Sequence, residues 1–226
     1  MARGGDGRVR DVARQGVVQD EVPWWGEASA AAAPVLLITG LAAASRLQLP
    51  QFDVFNNTVS ALAGEGANDG WIMTFTFVIV GACVVVTALA LRPAARAGRI
   101  VLVVAGLAGM LVAAFPERLG GSLIHAFWAG AGFGGLILWP ALAWRRGPGV
   151  PWGLRPVTCA VISVPLSALI IWFAVEEVRR GAQMGVAERA AGVTQTLWPL
   201  CVVLSCRRAR ADRIADPATD DSVLGA

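Results

Sequence analysis

GWIMTFTFVIVGACVVVTALAL, residues 70–91, contains no Asp, Glu, Lys or Arg. At 1.5 Å of rise per residue, a helix needs about 20 predominantly apolar residues to cross the hydrocarbon core of a bilayer. This stretch therefore predicts a transmembrane helix. Five further charge-free runs surround it, at residues 28–45, 100–116, 119–144, 156–175 and 190–206, each rich in Val, Leu, Ile, Ala, Phe and Gly. The expected fold is an all-α polytopic bundle of six transmembrane helices at about 28–47, 70–91, 100–116, 119–144, 156–175 and 190–206. The membrane domain is expected to occupy residues 28–206.

Composition agrees with that reading. The chain is 56% hydrophobic and 15% charged, against about 25% charged in soluble domains. Six helices of about 20 residues leave no room for a separate soluble domain. The net charge of +3 does not point to nucleic acid, because the basic residues punctuate apolar runs and form no patch. Membrane lipids are the expected surroundings and partners, and no protein partner can be named.

The same arginines orient the chain. Fourteen of the nineteen fall on one side: Arg3, Arg8, Arg10 and Arg14; Arg92, Arg96 and Arg99; Arg145, Arg146 and Arg155; Arg207, Arg208, Arg210 and Arg213. Only Arg46, Arg118, Arg179, Arg180 and Arg189 fall on the other. Positive-inside bias makes the richer side cytoplasmic, with both termini inside and the cell membrane as the location. Residues 1–27 and 207–226 are expected to be disordered cytoplasmic segments. Ala42-Ala43-Ala44-Ser45 has the look of a signal-peptidase site, but Asp20, Glu21 and Glu27 do not suit a short basic leader region. A retained first helix is expected.

Small residues suggest how the helices meet. Gly130 and Gly134 have GxxxG spacing, and Ala105, Gly106 and Gly109 offer a similar surface on the preceding run. The third and fourth helices are thus expected to form an antiparallel hairpin at the bundle centre. Trp71, Trp139, Trp144, Trp172 and Trp198 lie near run ends, as an aromatic belt requires. Cys83, Cys159, Cys201 and Cys206 have no metal-ligand spacing and read as buried apolar residues. No metal and no cofactor is expected.

Any chemistry belongs to the outer face. Ser60, Asp69, Glu117, His125, Glu176 and Glu188 all fall at about one membrane depth, with Arg189 beside the last of them. Ionisable groups at the membrane boundary are costly and become functional candidates by default. His125, the only histidine, could serve as a general base with nearby carboxylates. A Ser60–His125–Asp69 hydrolase would need a nucleophile elbow, and no GxSxG is present. Cross-helix pairing of Glu117 or Glu188 with arginine would equally make these residues structural.

Three outer-face signatures carry a family resemblance. Val59-Ser60-Ala61-Leu62 followed by Asp69-Gly70-Trp71-Ile72-Met73 is the first; Phe115-Pro116-Glu117 followed by His125 is the second; Gly185-Val186-Ala187-Glu188-Arg189 is the third. In order and position they resemble the domain-of-unknown-function 998 family over roughly residues 30–206. That family often has Asp after the Phe-Pro step with one residue between, whereas Glu117 follows directly here. The Phe-Pro and His signatures are also faintly similar to DRAM/Frag1-type membrane proteins, which are linked to lipid biology. The resemblance implies a six-helix membrane protein and little about activity. Two readings follow: a non-enzymatic protein whose outer polar cluster (Ser60, Asp69, Glu117, His125, Glu188, Arg189) binds a lipid headgroup, ion or partner, or an intramembrane lipid-modifying enzyme using His125. Whether the protein is an enzyme is left open by the sequence.

Overall fold

The structure, a computed structural model, describes residues 21–50, 52–118 and 121–215. Six α-helices account for most of them: α1 Trp24–Arg46, α2 Trp71–Ala90, α3 Arg96–Ala114, α4 Leu123–Ala143, α5 Pro156–Arg179 and α6 Met184–Ala215. One-turn 3₁₀ helices sit in two connections, at Ser60–Leu62 and Trp152–Leu154. No strand occurs among the described residues. The six-helix expectation holds.

Helices α1 to α5 are long and apolar enough to cross a membrane. Helix α6 falls short of that hydropathy because Thr194, Gln195 and Thr196 interrupt its charge-free run and charge flanks both ends. Burial gives the physical reason. Gln195 and Thr196 are buried, as are Glu188 and Ser205, so α6 turns its polar groups inward. The exterior is apolar instead: Val157, Val161, Val164 and Ile171 on α5, Phe75 on α2 and Ile100 on α3 are all exposed. An outward-facing apolar surface around a partly polar interior is what a lipid solvent selects.

Each helix packs chiefly on its chain neighbours, and α6 returns to pack on α1. The result is a closed ring in sequence order. Helices α3 and α4 form the expected hairpin, but as two members of the ring and not as its centre. The α4–α5 junction is the sparsest between consecutive helices.

Without a hydrophobic drive between helices in lipid, close approach of small residues supplies the packing. Gly81 of α2 and Gly106 of α3 meet backbone to backbone: a Cβ on either would lie 2.6–2.7 Å from the other's carbonyl oxygen. A Cβ on Gly98 would lie 2.5 Å from Cα of Ala143. The expected GxxxG contact does not form. Nothing lies within 4 Å of a Cβ built on Gly130 or Gly134, whereas one on Gly135 would lie 2.8 Å from the Cβ of Ala105. The face of α4 that meets α3 is therefore the one carrying Gly132 and Gly135, and Gly130 and Gly134 look elsewhere.

The helix ends differ from the charge-free runs in an instructive way. Helix α1 begins at Trp24, inside the segment expected to be disordered, and α6 continues to Ala215, well into the expected tail. Residues 1–20 and 216–226 lie outside the described residues. Charge marks where hydrocarbon ends, not where a helix ends. Arginines are welcome at the C-terminus of a helix dipole, and Arg207 and Arg210 reach Glu27 and Glu21 at 3.5 and 3.0 Å. These exposed pairs are worth little energetically, but they put both ends of the described chain at one end of the ring. Arg99 joins them there, donating to the Ala88 and Leu89 carbonyls at the C-terminus of α2. Trp139 and Trp198 are buried, so they belong to the core and not to an interfacial belt. None of the four cysteines forms a disulfide.

Substituting Gly98 by Val should force α3 and α4 apart. Overpacking costs of about 1–3 kcal/mol predict a lowered melting temperature for detergent-purified protein, whereas Gly109→Ala, which meets nothing within 4 Å, should leave it unchanged.

Candidate functional site

The end of the ring opposite the arginine-rich one is closed by the first connection, residues 52–70, which begins as a polar turn. Asp53 accepts from the Phe55 amide at 2.9 Å, and Asn57 Oδ1 accepts from the Asp53 amide at 2.8 Å. The chain then enters the Ser60–Leu62 turn, where the Thr58 hydroxyl accepts from the Ala61 amide at 3.0 Å. Val59 and Leu62 drop into the ring and are buried.

Two adjacent residues of α6 hold this connection by opposite means. Glu188 is buried and accepts from the Val59 amide at 2.6 Å and the Ser60 hydroxyl at 3.1 Å. Arg189 donates through Nη1 to the carbonyls of Val54 and Asn57, both at 2.9 Å, and of Gly185 at 2.8 Å. One nitrogen with two hydrogens thus serves three oxygens, while Nη2 is buried without a partner. The carboxylate satisfies N–H and O–H donors at the start of the 3₁₀ turn, and the guanidinium satisfies carbonyls of the turn before it. A mutual Glu188–Arg189 ion pair is not what organises them: each is spent on the connection's backbone.

Gly185 makes the approach possible. A Cβ there would collide with the Asn57 carbonyl oxygen and crowd that of Val54, and the Gly185 amide donates to the Phe55 carbonyl at 2.9 Å. The Gly185-Val186-Ala187-Glu188-Arg189 segment is therefore a docking surface for the first connection.

A second anchor comes from the α3–α4 turn. The Thr58 hydroxyl donates to Glu117 Oε2 at 3.2 Å, and the Glu65 amide donates to the Glu117 carbonyl at 2.9 Å. Ser122 caps α4 by accepting from the His125 amide at 3.3 Å. The His125 ring is buried, and its Nδ1 lies 2.9 Å from the Phe115 carbonyl at the end of α3. Carbonyl oxygen only accepts, so Nδ1 carries a proton, and in the neutral ring Nε2 is then the acceptor.

Ser60, Glu117, His125 and Glu188 line one cavity of about 370 Å³ between α4 and α5, together with Thr58 and Glu177. Its remaining wall is apolar and includes Phe133, Ile170 and Phe173, and Gly130 and Gly134 open onto it. The open space at those two glycines is thus cavity, which corrects their assignment as packing residues. A smaller cavity of about 120 Å³ lies in the lumen of the ring, roofed by Val59, Glu188 and Arg189.

Asp69 is not part of this cluster. It is exposed, holds a left-handed backbone (φ 51°) ahead of α2 and accepts from Trp71 Nε1 at 3.2 Å. It shares the membrane depth of the others but not their side of the ring. The Ser60–His125–Asp69 triad is accordingly absent, since the Ser60 hydroxyl serves Glu188. Thr58 and Glu177 were not singled out from sequence. Thr58 is an ordinary turn residue by type, and Glu177 lies in the last turn of α5. No group of His, Cys, Asp and Glu among the described residues is arranged to hold a metal ion.

Six helices with an apolar exterior and a polar cap at one end define a multi-pass integral membrane protein. The chain matches the family described as protein of unknown function (DUF998) over residues 30–205, and it belongs to that family. The match runs from α1 to the last buried turns of α6 and takes in all three signatures. No curated protein and no solved structure matches the chain.

Charge-assisted hydrogen bonds contribute about 1.5–3 kcal/mol each. Arg189→Ala should therefore free the first connection, read as at least tenfold faster amide exchange over residues 52–62 by mass spectrometry. Asp69→Asn, at a left-handed position that Asn tolerates, should leave exchange in that segment unchanged.

Proposed function

We propose that this protein is a non-enzymatic membrane protein that binds an amphiphile from the outer leaflet, head group at the Glu117–His125–Glu188 cluster and tail between α4 and α5. One observation carries the reading: the 370 Å³ cavity is polar at one end and apolar along its length. That volume is within the 300–1,000 Å³ range of small-molecule sites, and its position at the sparsest helix junction gives access from the surrounding lipid. The apolar wall runs on α4 from His125 to Gly134 and on α5 from Ile170 to Val178. Eight or nine residues at 1.5 Å each make it about 12–14 Å deep.

The orientation belongs to the same proposal. Arginines crowd the end that carries both described chain ends, which supports cytoplasmic termini in the cell membrane, six crossings and an outward-facing cavity mouth. A green fluorescent protein fused to the C-terminus is expected to fluoresce, and a dark, exported fusion would reverse the orientation.

A hydrolytic reading finds less support. No hydroxyl among the described residues is bonded to the His125 ring, and Ser60, the serine that lines the cavity, is committed to Glu188. What His125 does is tie α4 to the end of α3.

Gly130 and Gly134 allow a test that spares the fold, because side chains added there enter open space. The Gly130→Leu/Gly134→Leu double variant should insert and melt as wild type does. Mass spectrometry of purified wild-type protein should find a co-purified amphiphile that the double variant lacks. Equal amphiphile content in the two would reject the cavity as the binding site.

A further inference from the structure

The cavity's charge is one-sided. Glu117, Glu177 and Glu188 face it, and no arginine is among its lining residues. Arg189, the cation nearest Glu188 in the chain, gives Nη1 to three carbonyls of the first connection. Arg180 lies beside Glu177 electrostatically, but it terminates α5 and does not line the cavity. The Glu177 carboxylate has no hydrogen bond or ion pair with any described residue, and that of Glu117 has only the Thr58 hydroxyl. His125, nine-tenths buried on the same wall, has no hydrogen-bond partner for Nε2 among the described residues.

Carboxylates at the mouth of an apolar cavity repel an anionic head and attract a cationic one, and a low dielectric strengthens both effects. A bare metal ion does not answer the geometry, because the described carboxylates and histidine do not converge on a point. The occupant must be larger than an ion, positively charged at one end and apolar for about 12–14 Å, the depth set by eight or nine helical residues.

Resting on the proposed binding role, we infer that the cavity between α4 and α5 selects a single-chain cationic amphiphile, a long-chain amine or ammonium. The ammonium sits between Glu117 and Glu177 and donates to their oxygens and to His125 Nε2. The alkyl chain lies along Ala129, Phe133 and Phe173, beside the space that Gly130 and Gly134 leave. A phosphate-bearing head would bring like charge against three carboxylates with no guanidinium to receive it.

The test uses full-length protein in phosphatidylcholine nanodiscs, with protein-free discs subtracted. Dodecylamine, dodecanol and dodecyl phosphate compete against radiolabelled dodecylamine. The amine should bind at least tenfold more tightly than the phosphate, with the alcohol between them. Glu117→Gln/Glu177→Gln should lower amine affinity at least tenfold and leave dodecanol binding unchanged. Glu177→Gln alone, at an exposed residue with no hydrogen bond or ion pair to a described residue, should give part of that loss with no effect on folding. Phosphate binding as tightly as amine, or a double variant that keeps the preference, overturns the cationic assignment while leaving an amphiphile site in place. If none of the three compounds binds, or Gly130→Leu/Gly134→Leu does not reduce binding, the amphiphile site itself is rejected and this inference falls with it.

Discussion

Hydrocarbon offers an N–H or C=O group no partner, so backbone inside it must satisfy itself, and irregular chain survives only where protein supplies the bonds. This constraint explains most of the molecule. Six helices answer it along their length. The first connection cannot, because it carries a turn and a 3₁₀ segment whose Val59 and Leu62 are buried in the ring. Glu188 and Arg189 resolve that problem in two parts, one accepting from donors and the other donating to carbonyls. Buried ionic residues are weak evidence for stability in general. Here they replace the water that an exposed loop would have used.

The cap and the cavity are consequences of one another. Holding Thr58 and Ser60 against Glu117 and Glu188 closes the lumen and also sets those side chains on the wall between α4 and α5. The arginine that balances Glu188 in sequence is drawn away to the backbone, and the acidic side is left facing the cavity. A structural requirement of the loop thereby fixes the electrostatics of the site.

What could be read in advance was position along the membrane normal. Runs without charge located all six helices, and arginine placement gathered Ser60, Glu117, His125 and Glu188 at one depth before any fold was known. Azimuth was not legible. Asp69 shares that depth and faces elsewhere, because a helix entry point says nothing about which side of a ring it occupies. Gly130 and Gly134 satisfy GxxxG as spacing, yet Gly132 and Gly135 meet α3. Helix α4 is apolar on nearly every face, so the periodicity that marks the buried face of a soluble helix is nearly erased there. Trp139 and Trp198 mislead for a related reason: nearness to a run end is an axial property, and both point inward. The importance of Gly185-Val186-Ala187-Glu188-Arg189 was visible as a signature, while its task became clear only with Val54, Asn57 and Val59 beside it.

Ring closure between α1 and α6 has a mechanical meaning. An open row of helices can splay anywhere, but a hoop held at five joints yields at the sixth. The joints that link α1 to α2, α2 to α3 and α3 to α4 are extensive, those of α6 with α5 and α1 are sparser, and the seam between α4 and α5 is the sparsest and has glycines with nothing opposite them. Outward strain from a bilayer would bear first on that seam. Changes in lateral pressure or lipid thickness would therefore widen or narrow this one slot, leaving the rest of the hoop in shape.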